Sequence, residues 1–118
     1  MEDSILKTVR HDAGNLDYNC DAFDGQLIPL INEAFSDLWQ IKIGPARGFA
    51  ISGTTEIWDD FTTDIIALGW VKSYINATVR MAFDPAASSF VQDSIKKRAE
   101  ECFERLHAYV DASEEEEV

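Results

Sequence analysis

An all-α fold is predicted for this chain: a small bundle of about four helices whose last two are long and antiparallel. Three observations predict it. The stretch 64–89 carries Ile65, Leu68, Val71, Ile75, Val79 and Ala82 at three- and four-residue steps, so they share one face of a helix. Two further stretches, 23–40 and 90–110, show the same period. The clearest two-residue alternation is short: Phe49 and Ile51 in the run GFAISG. A projecting loop or short β-hairpin is therefore expected between the second helix and the core helix.

The first helix spans 1–11, with Ile5, Leu6 and Val9 on one side, Ser4 or Asp3 as its cap, and Gly14 and Asn15 as its stop. The polar loop 15–24 holds Asp17, Asp21 and Asp24. An EF-hand would need a glycine and a closing glutamate at positions that lack them here, so these aspartates are read as capping and solvated groups. Over 23–40, Leu27, Ile31, Ala34, Phe35 and Leu38 make a second stripe, joined by Phe23, Leu30 and Trp39. Pro29 interrupts it. Either the helix begins near Gln26, where proline sits in the first turn, or a looser start near Asp21 is followed by a bend, which is the preferred reading.

Gly44, Pro45, Gly48 and Gly53 break the helical pattern, and 42–55 is long for a connection between two bundle helices, which marks it as a functional projection. It is no phosphate loop, since the lysine and Ser/Thr ending is missing. Thr55 is expected to cap a single turn, EIWDDF, whose Ile57, Trp58 and Phe61 plug the base of the bundle. Trp70, Tyr74, Met81 and Phe83 then widen the core helix's stripe, leaving Lys72, Asn76 and Arg80 as a polar row; a helix this apolar sits centrally. Trp70, Tyr74 and Phe83 read as packing residues rather than ligands. Thr62 or Thr63 can cap that helix with Asp64 in its first turn. Pro85 ends it by forcing Asp84 out of the α region, and Ser88 and Ser89 cap the next, making 84–89 a tight corner. In the last helix, Val91, Ile95, Ala99, Cys102, Leu106 and Tyr109 form the buried stripe while Lys96, Lys97, Glu100, Glu101 and Glu104 face water. Residues 1–111 read as one domain and 112–118 as an acidic tail, disordered or ordered by a partner.

With 118 residues, 46% hydrophobic and 11% aromatic, the chain can bury a substantial core. Its formal charge is −12, and the four glutamates at 114–117 supply only part of it, so the body is acidic as well. Binding nucleic acid by neutralising phosphates is disfavoured by that sign. Cys20 and Cys102 are too few and too far apart for a metal cluster or a disulfide framework, and two free thiols in a reducing compartment are expected. The start MEDSILKTVR lacks the basic-then-apolar order of a signal peptide, and no apolar run approaches the roughly 20 residues of a membrane helix. A soluble product of the cytoplasm is expected. His11 and His107 show no sequence pairing with a nucleophile, and no GxSxG, HExxH, CxxC or Walker pattern occurs. No catalytic, cofactor-binding or metal-binding residue is assigned; the profile favours protein interaction.

The ordered strings IGPARGFAISGTTEIWDDF, DIIALGWVKSYINATVRMAFDPAASS and ERLHAYVD carry a resemblance. With ILKTVRHDAG as the N-terminal helix, a GxGF-like loop, a W-x-D-F turn (Trp58, Asp60, Phe61) and a core helix bearing Val71, Lys72, Tyr74, Ile75, Val79, Arg80, Phe83, Asp84 and Pro85, the chain resembles the head-tail connector proteins of tailed bacteriophages from Ile5 to Asp111. That resemblance implies a structural virion protein of the neck, made in the host cytoplasm. It implies a homo-oligomeric ring, a dodecamer, beneath the portal, which extends the DNA channel and offers a platform to the neck, stopper or tail protein below. DNA would pass without sequence-specific binding, and an acidic lumen would repel it. Ring contacts are heterologous, so two different surfaces must complement each other. The 42–55 projection, with Lys42, Gly44, Arg47, Gly48, Phe49 and Ile51, is expected to form one, and the exposed side of the neighbouring helices the other; Arg80 and Asp84 of the core helix are also expected at an interface. Arg80 needs a partner, for which Asp84 is a candidate. His107, Tyr109 and Glu114 are expected to meet the portal. A small acidic helical regulator of a host or phage protein would share the charge but leave the long loop unexplained. A strand-rich stopper or tail-completion protein conflicts with the helical period.

Overall fold

The structure, a computed structural model, describes residues 4–83 and 89–117, with side chains through residue 112. Five helices follow in order: α1 (Ile5–Asp12), α2 (Asp24–Gln40), α3 (Trp58–Phe61), α4 (Ile65–Phe83) and α5 (Ser89–Glu117). Among the described residues no strand forms, and the one β pairing is a bridge between Ser4 and Ile57. The predicted helical bundle is therefore observed, and the connection from α2 to α3 is a loop without a hairpin. The corner 84–88, with Pro85 and Ser88, and the alternative cap Asp3 lie outside the described residues.

α1 begins at Ser4, whose hydroxyl oxygen accepts the Lys7 N–H at 3.3 Å. Ile5, Leu6 and Val9 are fully buried, each contributing about 1.5–3 kcal/mol by leaving water. The helix stops where expected: Gly14 donates its N–H to the Val9 carbonyl and Asn15 takes a positive φ of 55°. α2 runs through Pro29. Its entry is a turn, in which Asp24 donates to the Asp21 carbonyl at 3.3 Å and Gln26 and Leu27 donate to Phe23. All five residues of its predicted stripe are buried, while Phe23 and Trp39, expected beside them, are exposed.

α4 is the central helix, packed on α5, α2 and α1. α5 runs antiparallel to it: Tyr109 meets Asp64 and Trp70 at one end, Phe103 meets Tyr74 midway, and Gln92 meets the Met81 carbonyl at the other. Within α4 the buried set is Ala67, Val71, Tyr74, Ile75, Ala77 and Val79. Ile65 and Ala82, placed on the buried face by their spacing, are exposed, in the first and last turns of the helix. Of the polar row, Lys72 and Arg80 face water, but Asn76 is half-buried and its Oδ1 has no hydrogen-bond partner among the described residues.

Caps differ from expectation in two places. Asp64 is itself the cap of α4: its Oδ1 accepts the N–H groups of Ile66 and Ala67, and Thr62 supports it by accepting the Asp64 N–H. Thr55 is exposed and α3 is instead secured by Asp60, whose carboxylate accepts the Ile57 N–H at 3.0 Å. Finally, α5 continues past Val110 to Glu117, so the backbone of the expected tail starts as a helical extension.

Candidate functional site

The 41–57 connection contains the 42–55 stretch that sequence singled out, and it is anchored rather than free. α2 ends in a Schellman turn: Ile43 donates to the Leu38 carbonyl and Lys42 to the Trp39 carbonyl, with Lys42 at φ 68°. Leu38 and Ile43, the apolar pair that accompanies this motif, are both buried. Gly44 follows at φ 94°, and a Cβ there would lie 2.4 Å from the Phe61 ring. Only glycine fits both demands. Further on, the Asn32 side chain of α2 binds the Ile51 backbone twice, accepting its N–H at 2.7 Å and donating to its carbonyl at 3.0 Å. A strand-like segment thus gains a side-chain partner where no second strand exists.

Beneath the loop, Phe35, Phe49 and Phe61 form an aromatic cluster with centroid separations of 4.6–5.4 Å, and Trp58 joins it. Trp58 donates its ring N–H to Thr8 of α1, and Lys72 of α4 lies over its ring at 5.4 Å. Glu56 closes the base by accepting from Ser52 N–H, Ser52 Oγ–H and Gly53 N–H. Burial pushes its carboxyl up, but those hydrogen bonds outweigh it and hold the group below the usual range.

A second fixed point joins α1 to α2. Arg10 is 3% exposed, and its guanidinium makes a bidentate pair with Asp24 at 3.0 and 2.6 Å while donating to the Tyr18 carbonyl at 2.8 Å. The Asp24 hydrogen bond holds the guanidinium yet more firmly charged. Asp24 thus serves as a structural counter-ion to a buried cation, where the sequence reading made it a capping or solvated group. No group of three or more His, Cys, Asp or Glu side chains among the described residues could hold a metal ion. Cys20 and Cys102 are both free thiols, and burial pushes the Cys102 thiol up, away from reactivity.

Between α2, α4 and α5 runs an open groove of about 580 Å³, floored by Tyr74, Met81 and Phe103 and rimmed by Asp37, Lys96 and Glu100. The Tyr74 hydroxyl donates to Asp37 at 3.0 Å; burial and that neighbouring carboxylate push its ionisation well above the usual tyrosine range. The groove therefore presents apolar surface with an acidic border.

Over residues 5–113 the sequence matches the family model described as phage connector protein. This chain belongs to the phage connector family. That membership gives it a structural connecting role in a phage. No curated protein and no solved structure matches it significantly. No helix among the described residues is long and apolar enough to cross a membrane.

Within this connector the anticipated contact residues separate. Lys42 and His107 come together, lining one small pocket with Gln40 and Asp111. Arg47, Gly48 and Phe49 line another beside Trp39. Ile51 is 4% exposed and Phe49 packs on two phenylalanines, so these two support the loop from beneath; alternation put them in an exposed projection, but without a second strand their apolar faces turn into the core. Tyr109 is likewise engaged internally, donating to Asp64 at 2.7 Å. Arg80 is exposed near the opposite end of α4; Asp84 and the Glu114 side chain lie outside the described residues. Sequence reading missed Asn32 and Arg10. Arg10 did carry a signal, since it stands four residues after Leu6 and so on the buried face of α1.

Proposed function

We propose that this connector forms a homo-oligomeric ring, a dodecamer, under the portal of a tailed phage. There it extends the DNA channel and presents a platform to the neck or tail protein that follows. The family match over nearly the whole chain carries this reading. Two physical features support it. A net charge of −12 gives a surface along which DNA can pass without sticking. The connection between α2 and α3 is held by side-chain clamps, so a long irregular surface is kept in one shape, as a docking surface requires.

Mixing the purified protein with the portal of the same phage and weighing the portal complex by native mass spectrometry tests the reading. Growth of the complex by about a dozen subunit masses is expected for a closed cyclic assembly. A lone chain at every salt concentration would favour the small acidic regulator instead. The end of α5 with His107 is the proposed portal contact. Removing 112–118 is expected to weaken portal binding at least about tenfold while leaving thermal stability within about 0.5 kcal/mol. Undiminished binding would take the tail out of that role.

A further inference from the structure

Two exposed apolar patches stand at opposite ends of the α4–α5 pair. At the end where α4 begins, Ile65 is 84% exposed and Ile66 62%. Where α5 begins, Phe90 is 78% exposed and Val91 41%, with the 38% exposed Phe23 packed on Phe83 nearby. The 19 residues of α4 separate the patches by about 27 Å, so neither can cover the other within one chain. Their surroundings differ in charge, acidic at the first and mixed, with clustered lysines, at the second. Glu56, Asp59, Asp60 and Asp64 precede Ile65, and no lysine or arginine occurs between Arg47 and Lys72. Phe90 instead shares an open cleft of about 430 Å³ with Lys96 and Lys97, alongside Asp93, Ser94 and Glu100. Together with Arg98 these lysines make three of the ten cations of the chain, in consecutive positions.

We propose that copies of this connector associate head to tail, with the Ile65–Ile66 end of one copy seated in the Phe90–Lys97 cleft of the next. Strongly acidic copies repel one another over most of their surface, and approach is favourable where cations cluster. Apolar side chains then leave water on both partners while Asp59 of one copy faces Lys96 and Lys97 of the other. The contact is heterologous, as ring closure requires. This inference rests on the ring reading for the fact of self-association and adds the surfaces that make it.

Complementation tests it. One double variant, Ile65→Ser with Ile66→Ser, removes the first surface; another, Phe90→Ser with Lys97→Glu, removes the second. All four side chains are exposed, so circular dichroism should match the wild type. Each protein is sedimented alone and with the portal of the same phage. In the setting where wild type assembles, each variant alone is expected to dissociate with a constant raised on the order of 100-fold and to sediment as a monomer. A one-to-one mixture of the two should form dimers and nothing larger, because each dimer uses the single intact pair of surfaces. Variants that assemble like wild type would overturn the proposal and leave the ring reading standing. A mixture that stays monomeric would overturn the head-to-tail pairing. A wild type that never self-associates, alone or on the portal, would overturn both.

Discussion

The half of the chain before α4 and the α4–α5 pair reach their burial by different means. α4 and α5 are long, regular and antiparallel, and their backbone groups satisfy one another within each helix. Ala67, Val71, Ile75 and Val79 of α4 and Ala99, Cys102 and Leu106 of α5 are all buried, and few polar ties join the two helices. The earlier half is more than half irregular, and its backbone is held by individual side chains: Arg10 on Tyr18, Asn32 on Ile51, Glu56 on Ser52 and Gly53. Regular structure spreads its stability over many similar contacts, whereas an irregular segment concentrates it in a few that cannot be exchanged.

Substitutions in the irregular half should therefore be costly one at a time. Gly44→Ala is expected to have the largest effect, about 4 kcal/mol, by adding a positive-φ penalty to a clash with Phe61 that the packed ring cannot move to relieve. Urea denaturation measures the loss, and amide exchange should rise in 41–57 before it rises in α4 and α5. Equal acceleration throughout would show that the two regions unfold as one unit and erase the contrast. Arg10→Met should cost about 2–3 kcal/mol, since Asp24 loses both bonds of its pair while staying three-quarters buried. Asn32→Ala, which leaves the Ile51 N–H and carbonyl without partners, should cost about 2 kcal/mol and loosen the loop selectively.

The helical pair should be more tolerant. Tyr109→Phe removes one hydrogen bond between its members and is expected to cost about 1 kcal/mol. It also has a pH signature. The Tyr109 hydroxyl, followed by the Ala67 and Ile66 N–H groups, holds the Asp64 carboxyl below its usual range despite partial burial. A carboxyl whose ionisation is depressed by folding contributes stability that is full above its unfolded pKa and is lost as pH falls through the folded one. Wild type should accordingly weaken as pH drops below about 4, and Tyr109→Phe should flatten that slope. A variant with the wild-type slope would show that the α4 backbone alone sets the Asp64 acidity.

The same division explains what could be read in advance. Periodicity located α2, α4 and α5 because a helix buried along one face must repeat apolar residues at its own pitch; the α2 stripe and Ala99, Cys102 and Leu106 are buried as their spacing requires. It failed at helix ends. Ile65 and Val91, placed in buried stripes by their spacing, are exposed in the first turns of α4 and α5, and spacing carries no information about which turns are packed against the rest of the chain. Clamps were illegible for a related reason. Asn32 and Ile51 are 19 positions apart, and nothing in either residue marks the other.

By itself the sequence determined the helical class, the central place of α4, the acidic surface and, through ordered motifs over nearly the whole chain, membership of the connector family. These follow from local periodicity, composition and residue order, all of which exist before folding. Only the tertiary structure decided that Phe49 and Ile51 support the 41–57 loop from below, that Arg10 is a buried charge with a carboxylate to match, and that two apolar patches of contrasting surroundings are left at opposite ends of one helical pair. Each depends on which distant residues come into contact, and that is settled by packing in three dimensions rather than by any interval along the chain.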